Sequence, residues 1–383
     1  MVAGNDVRQV PFFNYPHLFQ SNEEQLVSIV KDVGKRGAYI LQQDLRSFEQ
    51  HLAEYSGAKY ALGVANGTDA IWLALMAAGI GSGDEAIFCS HTYVATAASI
   101  HFVGATPVPV ECGPDHMLDP KSVEAAITPR TRAILPTQVN GRTCDMDAIM
   151  QIADKHNLIV IEDAAQGLGS KWKGKCAGTF GLAGTISFYP AKTLGCLGDG
   201  GAVLTNDEAL YEKIYALRDH GRNRDGEMVC WGFNSRLDNL QAAILDMKLK
   251  TYDTDMARRR EIASMYQERL GDMSELTLPP APGSDPNHYD VYQNYEIEAD
   301  HRAELQPWLK QRGIGTLVQW GGKAVHQMPA LGFNVSLPFT ERMISRSLML
   351  PMNTALNDDD VEYVCSQVRQ FYAIEAKSLS KAA

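Results

Sequence analysis

The chain has 383 residues, and its 35 basic against 46 acidic side chains give a net charge of −11 at pH 7 with histidine neutral. This balance makes nucleic acid an improbable main partner, because phosphate binding requires an excess of lysine and arginine. A hydrophobic content of 45% with 21% charged residues is typical of a folded globular protein of two or three domains rather than a disordered chain.

Membrane insertion, secretion and zinc binding are each disfavoured by simple patterns. No uncharged apolar run reaches the ~18 residues of a membrane helix, and the N-terminus MVAGNDVRQV lacks signal-peptide features. We therefore expect a cytoplasmic location and no membrane partner. Seven scattered cysteines without a CxxC pair make a disulfide framework or a zinc site improbable. We expect no metal, and we expect buried or half-buried thiols.

The first 250 residues alternate short apolar runs with helical patterns, which is typical of an α/β layer fold. The runs predict helices over 70–78, 96–103 and 146–156, and strands over 61–64, 85–89, 106–110, 133–136, 158–161, 185–189 and 201–205. The fully apolar run 158–161 is typical of a strand buried on both faces of a parallel sheet. We predict a large domain over residues 1–250, with a mostly parallel seven-stranded sheet between helices.

The remaining residues have a different pattern. Residues 239–273 are mainly helical, and a proline-rich loop follows at 278–284. A strand is predicted over 292–297 and a helix over 303–312. We therefore predict a smaller C-terminal α+β domain over residues 251–383.

One lysine stands out because of its surroundings. A predicted strand carries Ser187, Lys192 follows in a loop, and a glycine-rich run occupies 195–201. Glycine lets the backbone pass close to a ligand, and a lysine kept from bulk water has a lowered pKa and can form an imine. Most lysines are solvated surface charges, so the neighbouring motifs have to decide whether Lys192 is a functional lysine or an ordinary surface one.

Polar residues follow other predicted strands, at the edge where open α/β sheets bind ligands. Asp163 ends the apolar strand and is a helix cap, a metal ligand or the partner of a cationic ring nitrogen. Asn66–Asp69 precedes a helix whose free N–H groups suit a phosphate, with Gly67 allowing close approach, although this is also an ordinary helix start. Tyr93 can stack on a planar ring or can be a core or rim tyrosine.

Together these features require a ligand with a phosphate, an aromatic ring with a basic nitrogen, and a carbonyl that reacts with an amine. Ser187 offers a further donor for the phosphate. Pyridoxal 5′-phosphate (PLP) has all three groups.

The segments NGTDA, HTYVATAASI, IEDAAQGLGS, SFYPAKTLGCLGDGGA and GFNSRLDNLQAAIL occur in this order. The chain thereby resembles the nucleotide-sugar aminotransferase family of DegT/StrS type, over nearly all of its length. The resemblance implies fold type I of the PLP-dependent enzymes. It also implies amino transfer from L-glutamate to the keto group of a nucleotide-linked deoxysugar, and dTDP is the nucleotide to try first. The cofactor would be in its pyridoxamine form (PMP) between the two half-reactions. The product belongs to amino-sugar biosynthesis, for O-antigen, surface polysaccharide or natural-product sugars.

The resemblance also implies roles for single residues around the cofactor ring. Lys192 corresponds to the Schiff-base lysine, and Asp163 pairs with the pyridine nitrogen. Gln166 bonds the ring's 3-oxygen, and Tyr93 stacks on the ring.

For the phosphate, the resemblance implies contacts from Gly67, Thr68 and Ser187. Asn234 of one subunit reaches the phosphate of its neighbour's cofactor, which makes the active unit a homodimer. A capped helix start is the alternative interpretation of Asn234 and the residues after it.

One segment departs from the family. Many members have a Tyr-Pro-x-Pro-x-His run where this chain has TLVQWGGKAVH at 316–326. Trp320, Lys323 and His326 are candidate contacts to the sugar or nucleotide, with helix capping or packing as the equal alternative.

Three other functions agree less well with the sequence. Sugar dehydratases of the same family have histidine at the lysine position, so Lys192 argues against them. A Rossmann-type dehydrogenase lacks support because no G-x-G-x-x-G follows the first strand. A non-catalytic sensor on the same fold would usually have lost the lysine or the aspartate, and both are present.

Overall fold

The computed structural model describes residues 8–382, with side chains described to residue 375. The helices are α1 Tyr15–Gln20, α2 Glu23–Arg36, α3 Gln43–Ser56, α4 Gly67–Ala77, α5 Val94–Phe102, α6 Pro120–Ala125, α7 Met146–His156, α8 Glu208–Arg218, α9 Asn239–Leu249, α10 Tyr252–Leu270, α11 Arg302–Gln311, α12 Pro338–Arg346 and α13 Asp358–Ala382. The strands are β1 Tyr60–Val64, β2 Glu85–Cys89, β3 Thr106–Val110, β4 Thr131–Leu135, β5 Ile159–Asp163, β6 Lys171–Trp172, β7 Lys175–Cys176, β8 Ala183–Ser187, β9 Gly201–Thr205, β10 Leu276–Thr277, β11 His288–Tyr289, β12 Tyr295–Ala299 and β13 Ser347–Leu350.

A seven-stranded sheet has the order β1-β9-β8-β5-β4-β2-β3. Strands β3, β2, β4, β5 and β8 run parallel, while β9 is antiparallel to both β8 and β1. The mostly parallel sheet is confirmed, and each of its strands lies within two residues of its predicted bounds. The carboxyl ends of β1, β2, β4, β5 and β8 meet at one edge because these strands share a direction.

The strand predicted in the C-terminal part of the chain is present but lies further along the sequence than predicted. The strand predicted over 292–297 is β12, Tyr295–Ala299. Tyr292 has a φ of 48°, a left-handed conformation that cannot continue an extended strand. Gln293 and Asn294 therefore lie in a loop, where they line a large cavity.

A second, antiparallel sheet has the order β10-β12-β13 and packs under α10, α11 and α13 in one apolar core. Val10 belongs to this core and bridges to Ile314, whereas the predicted division assigned the whole N-terminal segment to the large domain. Val10 lies there because its backbone N–H donates to the Gly313 carbonyl at 2.9 Å. A short third sheet has the order β11-β6-β7. The domain boundary at 250/251 stays a prediction, and it coincides with the break between α9 and α10.

All seven cysteines are free, and six are buried as predicted. Cys230 differs, because it lies in an exposed loop before β-bridge residue Asn234. Within residues 8–382, no helix is long and apolar enough to cross a membrane.

Candidate active site

A cavity of about 540 Å³ opens at the carboxyl edge of the seven-stranded sheet. Its volume falls within the usual range for small-molecule sites. Eight of the residues predicted from the sequence line it: Gly67, Thr68, Tyr93, Asp163, Gln166, Ser187, Lys192 and Trp320. Asn234, Lys323 and His326 are not on its wall.

One end of the cavity is formed by the start of α4, where the local geometry suits a phosphate group. The Asn66 side-chain oxygen accepts a hydrogen bond from the Asp69 backbone N–H at 2.8 Å and so caps the helix. Gly67 is the first helical residue, and a Cβ there would lie only 2.8 Å from the Cβ of Ser187. The absence of a side chain therefore lets β8 and the helix N-terminus form one cradle, whose free N–H groups and partial positive charge attract an anion.

The carboxylate of Asp163 lies at the end of β5 and is only 5% exposed. Its Oδ2 accepts a 2.6 Å hydrogen bond from the Thr96 hydroxyl, and its Oδ1 accepts one of 3.2 Å from the Ala165 N–H. Burial raises the pKa of Asp163, while the Thr96 bond and the positive charge of Lys192 oppose that rise. The carboxyl group is thus oriented and partly stabilised in its charged form.

Thr96 is the last member of a buried chain of hydroxyl groups. Because the hydroxyl of Thr96 donates to Asp163, it has to accept from Thr92, whose oxygen lies 2.9 Å away. Thr92 in turn accepts from Thr137 at 3.0 Å. The hydrogen bonds therefore all run in one direction, from Thr137 toward the carboxylate.

Lys192 lies in the loop after β8. Burial lowers the pKa of its amine to about 8, although the charge of Asp163 opposes this shift. Gln293 fixes the loop on both sides of the lysine: it accepts from the Thr193 N–H at 2.8 Å and donates to the Ala191 carbonyl at 2.8 Å. A lysine with this pKa can act as a neutral nucleophile near physiological pH.

Gln166, Tyr93 and Trp320 are three further predicted residues on the cavity wall. Gln166 accepts a 2.7 Å hydrogen bond from the Asn140 N–H, which leaves its NH₂ group as a donor. Tyr93 is 57% exposed at the start of α5. Trp320 has a left-handed φ of 48°, and its ring packs edge-on against His91 with 5.2 Å between the ring centroids.

The other residues of the divergent segment do not reach the cavity. His326 is buried, with Nδ1 2.7 Å from the Ser90 hydroxyl and Nε2 3.1 Å from the Glu341 carboxylate. These contacts are of the kind that the packing alternative for His326 describes, and its contact with the substrate stays a prediction. Lys323 is exposed outside the cavity wall.

Asn234 also lies outside the cavity of its own chain. It is exposed and forms a β-bridge with Asp219. The loop just before it presents Val229 and Trp231 to solvent, and Trp231 is 96% exposed.

A family model described as the DegT/DnrJ/EryC1/StrS aminotransferase family matches residues 20–369. The chain belongs to this family. A relative from Geobacillus stearothermophilus, named pleiotropic regulatory protein, is 40% identical over 95% of this chain and 98% of its own length. The dTDP-3-amino-3,4,6-trideoxy-alpha-D-glucose transaminase of Streptomyces venezuelae is 39% identical over 97% of this chain and 98% of its own length.

Solved structures agree with this assignment. The crystal structure of S. venezuelae DesV in complex with a ketimine intermediate is similar with a TM-score of 0.91 and 38% identity, covering 95% of this chain and 98% of that chain. Bacillus subtilis NtdA with bound PMP is similar with a TM-score of 0.88 and 29% identity, covering 96% of this chain and 86% of that chain. The fold is fold type I of the PLP-dependent enzymes, and PLP is the cofactor.

The residues of the cavity fit this cofactor. The cradle at Gly67 and Ser187 suits its phosphate, and the buried amine of Lys192 suits its carbonyl group. Asp163 suits the ring nitrogen, and the free NH₂ group of Gln166 suits the 3-oxygen. When bound, PLP supplies an amine-reactive carbonyl and a ring that withdraws electrons from the reacting carbon.

Sequence reasoning missed several side chains that shape this aminotransferase site. Thr92 and Thr96 lie within the HTYVATA segment, and their positions after a strand end could have indicated a role. Gln319 lies within the divergent segment 316–326, which was the signal that could have identified it. Asn140 lies in a short 3-10 turn after β4 and Gln293 in the loop before β12, and no motif or period in the single sequence identifies these two residues.

Proposed function

We propose that this aminotransferase moves an amino group from L-glutamate to the keto group of a nucleotide-linked keto-deoxysugar, in amino-sugar biosynthesis. The names of similar enzymes support this substrate class, and dTDP is the nucleotide to test first. The products are 2-oxoglutarate and the aminosugar nucleotide, so the amino group and two electrons pass from one carbon skeleton to the other.

The observation that carries this proposal is the pairing of a half-buried lysine, whose amine has a lowered pKa, with a buried aspartate on one cavity wall. Lys192 has a pKa of about 8 and Asp163 lies at the adjacent strand end. A sugar dehydratase of this family would have histidine at position 192. One relative has a regulatory name, but a sensor would have no need of both groups.

The chain's own residues have distinct tasks in this reaction. Lys192 in its neutral form removes a proton from the reacting carbon of glutamate and returns one when the sugar is aminated. Asp163, held by Thr96, keeps a proton on the ring nitrogen. Gln293 keeps Lys192 at the reacting centre by bonding the residues on both sides of it.

We further propose a homodimer in which Asn234 completes the phosphate site of the partner subunit. The position of Asn234 outside its own cavity supports this arrangement. The exposed apolar side chains of Met228, Val229 and Trp231 support it as well, because contiguous exposed apolar residues are typical of protein interfaces.

The test is a visible absorption spectrum of the purified holoenzyme before and after glutamate is added. Glutamate should convert the spectrum of the PLP form into that of the PMP form, and the dTDP-linked 4-keto-6-deoxyhexose should then reverse the change. Lys192→Ala should bind cofactor without this turnover, whereas the exposed control Lys121→Ala should behave as the wild type. Absence of any change with glutamate would refute aminotransfer, and reversal by a UDP- or GDP-linked ketosugar alone would correct the nucleotide.

A further inference from the structure

Gln319 is an unusual residue on the wall of the active-site cavity. It is only 4% exposed, and it lines the cavity together with Trp320, Asn294 and Lys192. Its NH₂ group donates a 2.8 Å hydrogen bond to the Asn140 side-chain oxygen. No described residue donates to its own side-chain oxygen, Oε1. A buried acceptor without a donor is unfavourable, so a ligand that supplies a donor is favoured there.

The orientation of this amide follows from its neighbours. The NH₂ group of Asn140 donates a 2.7 Å hydrogen bond to the carboxylate of Glu296, which can only accept when ionised. Burial alone would raise the pKa of Glu296, but His91 and His116 outweigh burial and hold this pKa well below its usual value. His91 Nε2 lies 3.3 Å from Glu296 Oε2. The amide of Asn140 therefore cannot be reversed.

The oxygen of Asn140 consequently faces the other way, toward two further amides. It accepts hydrogen bonds of 2.8 Å from both Asn294 and Gln319. Gln319 has to present its NH₂ group to this oxygen, so Oε1 is left as the free acceptor. The same Asn140 donates its backbone N–H to Gln166, and in this way it sets Gln166 as a donor and Gln319 as an acceptor.

The backbone holds Asn140 in this position. Asn140 has a left-handed φ of 56°. At the next residue, Gly141, a Cβ would lie 2.6 Å from the Gln293 nitrogen. The glycine therefore lets the loop after β4 pack directly on the 291–293 segment, and the Val291 N–H donates to the Gly141 carbonyl at 2.8 Å.

We propose that Gln319 is a specificity-determining residue whose side-chain oxygen accepts a hydrogen bond from a hydroxyl group of the substrate's sugar ring. This inference rests on the proposed function. Carboxylates and phosphates carry no donor at neutral pH, so neither the glutamate side chain nor the diphosphate meets the requirement. Sugar hydroxyl groups do meet it.

The position of Gln319 favours the sugar over the nucleotide base, which also has an N–H donor. Asn140 contacts both Gln319 and Gln166, and Gln166 faces the cofactor's 3-oxygen. Gln319 therefore lies close to the reacting centre, where the keto carbon of the sugar has to be. The base is separated from that carbon by two phosphates.

The experiment is calorimetric titration of the holoenzyme with dTDP-α-D-glucose and with dTDP alone. The variant is Gln319→Met, which keeps the side-chain length and removes the acceptor. The matched control is Gln267→Met, because Gln267 in α10 also has a buried oxygen without a donor but lies outside the cavity. We expect Gln319→Met to weaken dTDP-glucose binding about tenfold and to leave the Kd of dTDP unchanged, while Gln267→Met changes neither.

Other outcomes separate the possible failures. Equal weakening for dTDP and dTDP-glucose would place the contact on the base and overturn the inference, and so would unchanged binding of both. UDP- and GDP-glucose are titrated in parallel, and failure of the wild type to bind any of the nucleotide sugars would overturn this inference, whereas the proposed function fails only if glutamate and the ketosugar leave the absorption spectrum unchanged. The melting temperature of Gln319→Met should match that of the wild type, which shows that the variant is folded. Loss of the PLP-to-PMP conversion by glutamate with intact sugar binding would overturn the inference and assign Gln319 to the amino donor instead.

Discussion

The hydroxyl chain from Thr137 through Thr92 to Thr96 gives Asp163 an orientation that the aspartate alone would not have. A hydrogen bond to the charged form of an acid lowers its pKa, and a bond of this kind contributes roughly 1.5–3 kcal/mol. The cofactor ring needs this carboxyl group ionised, so the threonines have an indirect effect on the chemistry. They are positioning residues.

Substitution Thr96→Val tests this effect. Because the hydrogen bond lowers the pKa of Asp163, its loss should raise that pKa further. The glutamate half-reaction should therefore slow about tenfold or more near neutral pH, and the acid limb of its pH profile should move to higher pH. The measurement is the rate of spectral conversion at a series of pH values.

Two variants make this test specific. Thr96→Ser keeps the hydroxyl group and should restore the profile. Thr205→Val removes another hydroxyl of a buried threonine, which donates to the Leu182 carbonyl away from the cavity, and it should not move the profile. A wild-type profile in Thr96→Val would contradict the role of the chain.

The lowered pKa of Lys192 leads to a second expectation, for the protein stripped of cofactor. Only the neutral amine captures the PLP carbonyl, and the pKa is about 8. Capture should accelerate about tenfold per pH unit below pH 8 and level off above it. Asp163 raises this pKa, so Asp163→Asn should move the plateau to lower pH. Rapid-mixing spectroscopy measures both rates, and a rate independent of pH from 6 to 9 would contradict the assignment.

At the scale of elements, the start of α4 has two tasks that can be separated. Its cap Asn66 stabilises the helix and also fixes the N–H groups that face the phosphate. Removing a cap costs about 1 kcal/mol. Asn66→Ala should therefore lower the free energy of unfolding by about that amount and also weaken PLP binding.

The N-cap residue of α7 provides the control for Asn66→Ala. Asp145 accepts from the Ala148 N–H at 3.1 Å, and its helix starts outside the cavity. Asp145→Ala should cost similar stability in urea unfolding while the Kd of PLP stays at the wild-type value. Equal Kd values in the two variants would show that the α4 cap has no part in phosphate binding.

The elements also show what a single sequence can predict. Strand β5 is identifiable because its apolar run needs burial on both faces, and the motif around Lys192 places the lysine next to that strand end. The contact of Asn140 with Gln319 joins loops 179 residues apart, and no local pattern encodes such a pair. His326 illustrates the same limit, because a motif gives a position along the chain but not the direction in which a side chain packs.

At the scale of the whole molecule, variants in the exposed loop before Asn234 and at Asn234 itself allow dimer assembly and cofactor binding to be tested separately. Trp231→Glu should place a charge in the proposed interface and convert the dimer into a monomer with weakened PLP binding. Asn234→Ala should keep the dimer and weaken PLP binding alone. Sedimentation velocity and PLP titration distinguish the two effects, and a wild-type sedimentation coefficient for Trp231→Glu would contradict this interface.

The pairing of Val10 with Ile314 has a consequence for synthesis on the ribosome. The two residues are 314 − 10 = 304 positions apart, and Val10 is fully buried in the C-terminal core. At about 5–20 residues per second, roughly 15–60 s pass between the synthesis of the two residues. During that time, the apolar segment around Val10 has no native partner, so this part of the C-terminal core cannot close until Ile314 has been synthesised.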